Sequence, residues 1–324
     1  MNILVTGCAG FIGFHLTKKL LTNKKNNIFG IDNLNTYYDI NLKKKRLSIL
    51  KQNKKNFKFF KIDLIEKKKL SNFFEKNKVQ IVINLAAQAG VRHSISEPRE
   101  YFDSNILGFY NLIEIVKDLK IKHFIFASTS SVYGNQTKFP IIENSNTDKP
   151  LSMYAASKKC NEILAYSFSN IYKMPITSLR FFTVYGPYGR PDMALYKFVN
   201  SIYNNKTANL YNYGKHIRDF TFIDDVVNYI ENLINHPPKN KIPYQVFNIG
   251  SNKPKSLSYF IRIIEKIQNR KLKVKKINKQ IGDVYKTHAD NAKIIKYLGK
   301  KYYTDIYSGI NKFTEWFKSY YDKR

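Results

Sequence analysis

Short apolar runs alternate with longer segments of helical period along the first half of the chain. NILVT precedes a helix-period stretch from Phe11 to Leu21, NIFGI precedes Leu42 to Leu50, and FKFFKI precedes Lys69 to Phe74. QIVINLA is followed by Tyr101 to Lys117, KHFIFAS by Met153 to Ile171, and ITSLRF closes the series. Strand-length runs that stay apolar throughout are buried on both faces, and their alternation with helices predicts an α/β fold, a doubly wound parallel sheet. After Phe181 the rhythm loosens into turn-rich GPYGRP and a Tyr-rich segment reaching Gly214. Two stretches resume it: RDFTFI with the helix-like DDVVNYIENLI, and YQVFNI. The expected arrangement is discontinuous, with residues 1–180 and about 218–250 in a main domain and about 181–217 and 251–324 in a smaller lobe. HPPKNKIP, His236 to Pro243, reads as an exposed loop between elements.

Composition changes this picture little. With 324 residues, 43% of them hydrophobic, the chain has material for more than one compact core. A formal charge of +31 invites a nucleic-acid partner. Its distribution speaks against one, because KKKR (Lys43 to Arg46), KKK (Lys67 to Lys69) and KLKVKKINK (Lys271 to Lys279) are spread out, as lysine coating solvent faces would be. A diffuse positive field does help attract an anionic small substrate. The opening MNILVTG lacks the features of a secretory signal, and no apolar run approaches the roughly 18 to 20 residues of a membrane helix, so a cytoplasmic protein without membrane contact is expected. Cys8 and Cys160 lie in no metal-ligand spacing, and no H-x-x-E-H set exists, so no metal is expected.

TGCAGFIG, with Gly7, Gly10, Phe11, Ile12 and Gly13, lies between the first strand and first helix. Glycines there allow a tight turn and close approach of backbone to a pyrophosphate aimed at the helix amino terminus. Asp32 ends the second strand roughly 20 residues on, where an acid accepts ribose hydroxyls and repels a 2′-phosphate. Asn33 follows and no arginine does, which favours NAD over NADP. Asp63 and Leu64 come after the third strand, where Asp63 is placed either to reach an adenine amino group or to cap a helix. In NLAAQAG, Ala86 and Ala87 leave room for a flat ligand at the carboxyl ends of the strands, and they serve packing equally well.

ASTSSVYG and, about 25 residues on, YAASK pair a hydroxyl cluster with Tyr154 and Lys158. On a helix, positions i and i+4 share a face, and a cation near a phenol of pKa roughly 10 favours the tyrosinate, a usable base. Taken alone, the spacing fits an ordinary amphipathic helix equally well.

Taken together in order, TGCAGFIG, Asp32, NLAAQAG, the hydroxyl cluster, YAASK, RFFTVYGPYGRPDMA, RDFTFIDD and GDVYKTHAD resemble the extended short-chain dehydrogenase/reductases, the NAD-dependent nucleotide-sugar epimerases and dehydratases. Asp32 to Leu47 and Arg180 to Ala194 look most like the UDP-glucuronate 4-epimerases. The resemblance implies a Rossmann domain holding NAD, a substrate lobe for a UDP-sugar, and a homodimer through the helices at Tyr101 to Lys117 and Met153 to Ile171. It implies that Tyr154 takes the proton of the sugar 4-hydroxyl while a hydride leaves C4, that Thr129 bonds the same oxygen, and that Lys158 lowers the phenol pKa and binds the nicotinamide ribose. The keto sugar then rotates and is reduced on its other face, giving UDP-galacturonate for surface polysaccharide.

Related 4,6-dehydratases carry an Asp-Glu pair, and related decarboxylases a glutamate, where this chain has Ser130 and Ser131. By resemblance Ser130, Ser131 and Thr183 grip a substrate carboxylate; Arg190 either adds charge near the pocket mouth or is an exposed loop arginine, and Arg218 and Asp283 serve the diphosphate and the nucleotide ribose unless Arg218 is a solvated arginine before a strand. Asn84, Tyr188 and Ile281 depart from the usual His, Trp and Pro. Alternatives are an epimerase for UDP-glucose and UDP-galactose, a UDP-glucuronate decarboxylase, and a non-catalytic relative whose basic surface binds RNA or an anionic membrane.

Overall fold

The computed structural model describes residues 1–280 and 282–322. In its first half, β1 (Asn2–Thr6), α1 (Phe11–Leu20), β2 (Asn27–Ile31), α2 (Ile40–Lys51), β3 (Phe57–Phe60), α3 (Lys67–Lys76) and β4 (Ile81–Asn84) alternate as the periodicity predicts. Then follow α4 (His93–Ser96), α5 (Pro98–Tyr101), α6 (Gly108–Val116), β5 (His123–Thr129), α7 (Met153–Tyr172) and β6 (Ile176–Phe181). The second half contains β7 (Thr183–Tyr185), α8 (Ala194–Tyr203), β8 (Ala208–Tyr211), β9 (Ile217–Arg218), β10 (Phe220–Phe222) and α9 (Ile223–Ile234). It ends with β11 (Tyr244–Ile249), β12 (Lys255–Ser256), α10 (Leu257–Gln268), β13 (Val274–Ile277), α11 (Ala292–Leu298) and α12 (Ile306–Tyr321).

Seven strands form the central sheet in the order β11, β6, β5, β4, β1, β2, β3, with every pair parallel. The strand order reverses between β1 and β4, which opens a crevice at their carboxyl ends. Alternation along β1 sorts its side chains to two faces. Ile3 and Val5 pack with Phe14 of α1 and Val226 and Ile230 of α9, whereas Leu4 packs with Leu112 and Val116 of α6 and Ala165 of α7. Each such buried aliphatic contributes about 1.5–3 kcal/mol, so helices on both faces hold the sheet and fix where its strand ends point.

Three expectations need correction. The predicted helix from Tyr101 to Lys117 is interrupted by a π-helical turn, Phe102–Leu107. Asn105 is buried in that turn, donating to the Gln88 carbonyl and the Ser157 hydroxyl, both at 3.0 Å, and accepting from the Gln88 amide at 2.8 Å. Such widened turns recur at functional sites, and this one braces the loop after β4.

RDFTFI is not one strand, and it does not join the sheet. It breaks at Asp219, so that β9 pairs with β12 and β10 with β7. The fully buried Asp219 carboxylate accepts bonds from the amides of Ser251, Asn252 and Ala289 and from the Ser251 hydroxyl. It gathers three loops where a ladder would have run.

KKKR is not a uniformly solvated run. Helical period turns Lys44 and Lys45 outward but buries Lys43 and Arg46, which are 5% and 0% exposed. Arg46 donates to the carbonyls of Ala9 at 2.8 Å and Tyr188 at 2.6 Å and to the Tyr38 hydroxyl at 2.7 Å, tying the glycine loop to GPYGRP.

Candidate active site

The crevice deepens into a cavity of about 800 Å³ that runs from the glycine loop to β8. All the residues singled out from the sequence line it: the three glycines with Phe11 and Ile12, Asp32, Asn33, Asp63, Leu64, Ala86, Ala87, Thr129, Ser130, Ser131, Tyr154, Lys158, Thr183, Arg190, Arg218 and Asp283.

At one end the lining is backbone. Gly7 has φ +68°, and a Cβ there would stand 2.8 Å from the Ala86 amide nitrogen. A Cβ on Gly13 would stand 2.1 Å from the Gly7 carbonyl oxygen, so α1 begins tight against the turn. Gly10 caps α1 without a side-chain bond, which leaves amides at the helix start for an anion. The Asp32 carboxylate accepts from the Ala9 amide at 3.0 Å and the Leu34 amide at 2.8 Å. Burial raises its pKa, opposed by those amides and by the charges of Lys43 and Arg46. Asp63 accepts from the Asn33 side chain at 2.7 Å and from the Ile65 amide at 3.2 Å. Asn84 accepts from the Thr6 hydroxyl, which accepts in turn from the Ala86 amide at 3.2 Å, so Asn84 braces this wall from beneath. A cradle that a Cβ would fill, an open helix start and an acid held by amides fit a dinucleotide.

In the middle, β5 and α7 bring the presumed chemistry together. Thr129 caps the 3₁₀ turn Ser130–Tyr133, accepting from the Ser131 amide at 3.2 Å and donating to its hydroxyl at 3.2 Å. Ser152 caps α7 through the Ala155 amide, placing Tyr154 in the first turn with its ring edge-on to Tyr101. Burial raises the Tyr154 pKa, while hydrogen bonding with Thr129 and the Arg190 charge pull it down. Lys158 lies one turn further along α7 and lines the same cavity as Tyr154. The residue is 3% exposed, its ammonium donates to the Ala127 carbonyl at 2.9 Å, and burial lowers its pKa to about 8. Behind this wall Glu162, one turn beyond Lys158, accepts from the Ser128 hydroxyl at 2.6 Å and is forked by Arg180 at 2.9 and 2.7 Å, a buried pair that joins α7 to β5 and β6.

At the far end the lining consists of side-chain pairs. Arg190 forks Asp192 at 3.0 and 2.5 Å, and Tyr37 donates to the same carboxylate at 3.3 Å. Burial disfavours the guanidinium charge, but Asp192 outweighs it and the Arg190 pKa is raised. Asp283 pairs with Arg92 at 3.1 Å, and Arg92 lies over the Tyr211 ring at 4.1 Å. Arg218 donates to the carbonyls of Ile217 and Tyr285, and burial lowers its pKa to about 10.

Sequence reasoning missed Tyr37, Lys43, Arg92 and Asp192. Asp192 stood inside the quoted RFFTVYGPYGRPDMA, two residues from Arg190, and was a findable partner; Arg92 carried no local signal. Ile281 lies outside the described residues. No group of three or more His, Cys, Asp or Glu side chains among the described residues is placed to hold a metal ion, and no helix among them is long and apolar enough to cross a membrane.

Comparison with known proteins agrees with this geometry. Residues 3–250 match the NAD dependent epimerase/dehydratase family. The chain is 44% identical to Protein CapI of Staphylococcus aureus, with 100% of both chains covered. It is 41% identical to the UDP-glucuronate 4-epimerase of Thermodesulfobacterium geofontis, covering 97% of this chain and 95% of that one. Among solved structures it is similar to UDP-glucuronic acid 4-epimerase from Bacillus cereus in complex with UDP-glucuronic acid and NAD, with a TM-score of 0.93, 32% identity, and 99% and 100% of the two chains covered.

Proposed function

We propose that this chain, which belongs to the NAD dependent epimerase/dehydratase family, is an NAD-dependent UDP-glucuronate 4-epimerase that interconverts UDP-glucuronate and UDP-galacturonate. The observation that carries the reading is the wall of hydroxyls, Thr129, Ser130, Ser131 and Thr183, lining the same cavity as Tyr154 and Lys158. Relatives named as UDP-glucuronate 4-epimerases support the substrate.

The Gly7 to Gly13 turn, Asp32, Asn33, Asp63, Leu64, Ala86, Ala87 and Lys158 hold NAD, which when bound supplies a reversible hydride acceptor. Tyr154 holds the proton of the sugar 4-hydroxyl and returns it, so one base serves both directions. Thr129, which pulls the phenol pKa down, is placed to bond that same oxygen. Ser130, Ser131 and Thr183 donate to the sugar carboxylate without adding negative charge, which restrains a β-keto acid from losing carbon dioxide. Arg190, Arg218 and Asp283 receive the UDP moiety and the rim of the sugar.

Residues 1–180 with about 218–250 form the cofactor domain and the remainder the sugar lobe in this reading, with β9 and β10 pairing to β12 and β7 outside the central sheet. The protein works in the cytoplasm as a homodimer. Exposed Phe102, Leu107 and Tyr110 beside α6, with Ile163, Tyr166 and Ile171 on α7, support that contact, which sedimentation reads as a doubled 38.0 kDa mass.

The test is incubation of purified protein with UDP-glucuronate and no added reductant. UDP-galacturonate as sole product is expected, and Tyr154→Phe should slow its formation about 10²–10⁴-fold while NAD still binds. A UDP-pentose with released carbon dioxide would make the chain a decarboxylase, and turnover of UDP-glucose alone would move the substrate to neutral sugars.

A further inference from the structure

The electrostatics around Asp32 differ from what the sequence order suggests. An acid at the end of β2 normally excludes a 2′-phosphate by charge. Here the acid is not alone, because α2 brings Lys43 and Arg46 back toward it from 11 and 14 residues further on, and both charges act on its carboxyl group. Arg46 is committed to the Ala9 and Tyr188 carbonyls and the Tyr38 hydroxyl. Lys43 differs: it lines the cavity beside Asp32 and Asn35. Its ammonium donates to the Asn35 carbonyl at 2.7 Å and the Asn35 side chain at 2.5 Å and lies over the Tyr38 ring at 4.6 Å. Three N–H groups minus two bonds leaves one donor with no hydrogen-bond partner among the described residues. Asp63, bonded to Asn33, also lines this end, so the two acids there are met by two bases and the acid of β2 is not left unopposed.

We infer that Lys43 is a cofactor-selectivity residue, which reads the adenosine-ribose end of the dinucleotide and offsets the repulsion that Asp32 exerts on a 2′-phosphate. The placement of Lys43 supports a functional use, since the residue is 5% exposed overall yet its ammonium lines the cavity beside Asp32, where a ligand entering the crevice meets it. Burial also lowers its pKa to about 8, with Asp32 acting in the opposite direction. The inference rests on the reading of this end of the cavity as the NAD site and is independent of the sugar.

Equilibrium binding of NAD⁺ and NADP⁺ tests it, measured by calorimetry on protein whose nucleotide content has been set to zero by exchange and checked by absorbance. In Lys43→Met, which keeps the stem and removes the charge, the ratio Kd(NADP⁺)/Kd(NAD⁺) should rise about tenfold over the natural protein. Lys43→Gln should behave in the same way, which covers a folding failure of the first variant, and Lys43→Arg should leave the ratio unchanged. Equal weakening of both nucleotides, or no change in either, would overturn the inference. Failure of the natural protein to bind NAD⁺ at all would instead overturn the cofactor reading beneath it.

Discussion

The two ends of the cavity are built from different materials. At the cofactor end the surface is main chain: amides at the start of α1, the Gly7 turn pressed against Ala86, and an Asp32 carboxylate oriented by two amides. At the sugar end it is long side chains in pairs, Arg190 with Asp192 and Arg92 with Asp283, contributed by segments as much as 191 residues apart. Main chain held by a buried parallel sheet has one conformation, whereas a surface built from side-chain pairs changes whenever one member is substituted. A shared cofactor can therefore be held rigidly while the sugar end stays open to change by substitution.

The largest expected effect breaks the rigid end. Gly7→Ala puts a side chain at φ +68° and a Cβ inside contact distance of backbone that cannot yield, for a loss of at least about 3 kcal/mol. The denaturant midpoint should fall, and NAD should no longer restore it. An unchanged midpoint with normal NAD binding would mean that the turn is soft and the contrast misplaced.

An intermediate effect probes the wall between the ends. The folded Lys158 pKa of about 8 lies below the 10.5 of the free group, so the unfolded chain binds more protons between those values and this lysine's contribution to stability rises with pH across that window. Compared with Lys158→Met without nucleotide, the natural protein should gain up to about 3 kcal/mol from pH 7 to pH 10.5. Parallel stability profiles for the two proteins would show that the ammonium is already paired in the empty site.

The smallest effect belongs to the side-chain end. Arg190→Lys keeps the charge and loses the fork to Asp192, so KM for UDP-glucuronate should rise about tenfold with Kd for NAD⁺ unmoved. A matching loss of NAD⁺ affinity would couple the two ends and remove the distinction between them.

The same contrast explains what was legible in advance. The parallel sheet and the glycine turn with Asp32 were legible in period and spacing along the chain, whereas Thr129 and the Tyr154–Lys158 pair were picked out by the family resemblance, because their spacing alone fits an ordinary helix. Tertiary structure alone decided that Asp219 breaks RDFTFI into two strands, that Asn105 sits in a π turn bracing Gln88, and that Arg92 meets Asp283. It also turned two members of a lysine-rich run inward, so that a stretch read as solvent coating supplies Lys43 to the cavity and Arg46 to the glycine loop. Periodicity reports which face of an element is buried when that face is apolar, but a buried charge is invisible to it, because only the partners that compensate the charge, brought from elsewhere by the fold, make its burial affordable.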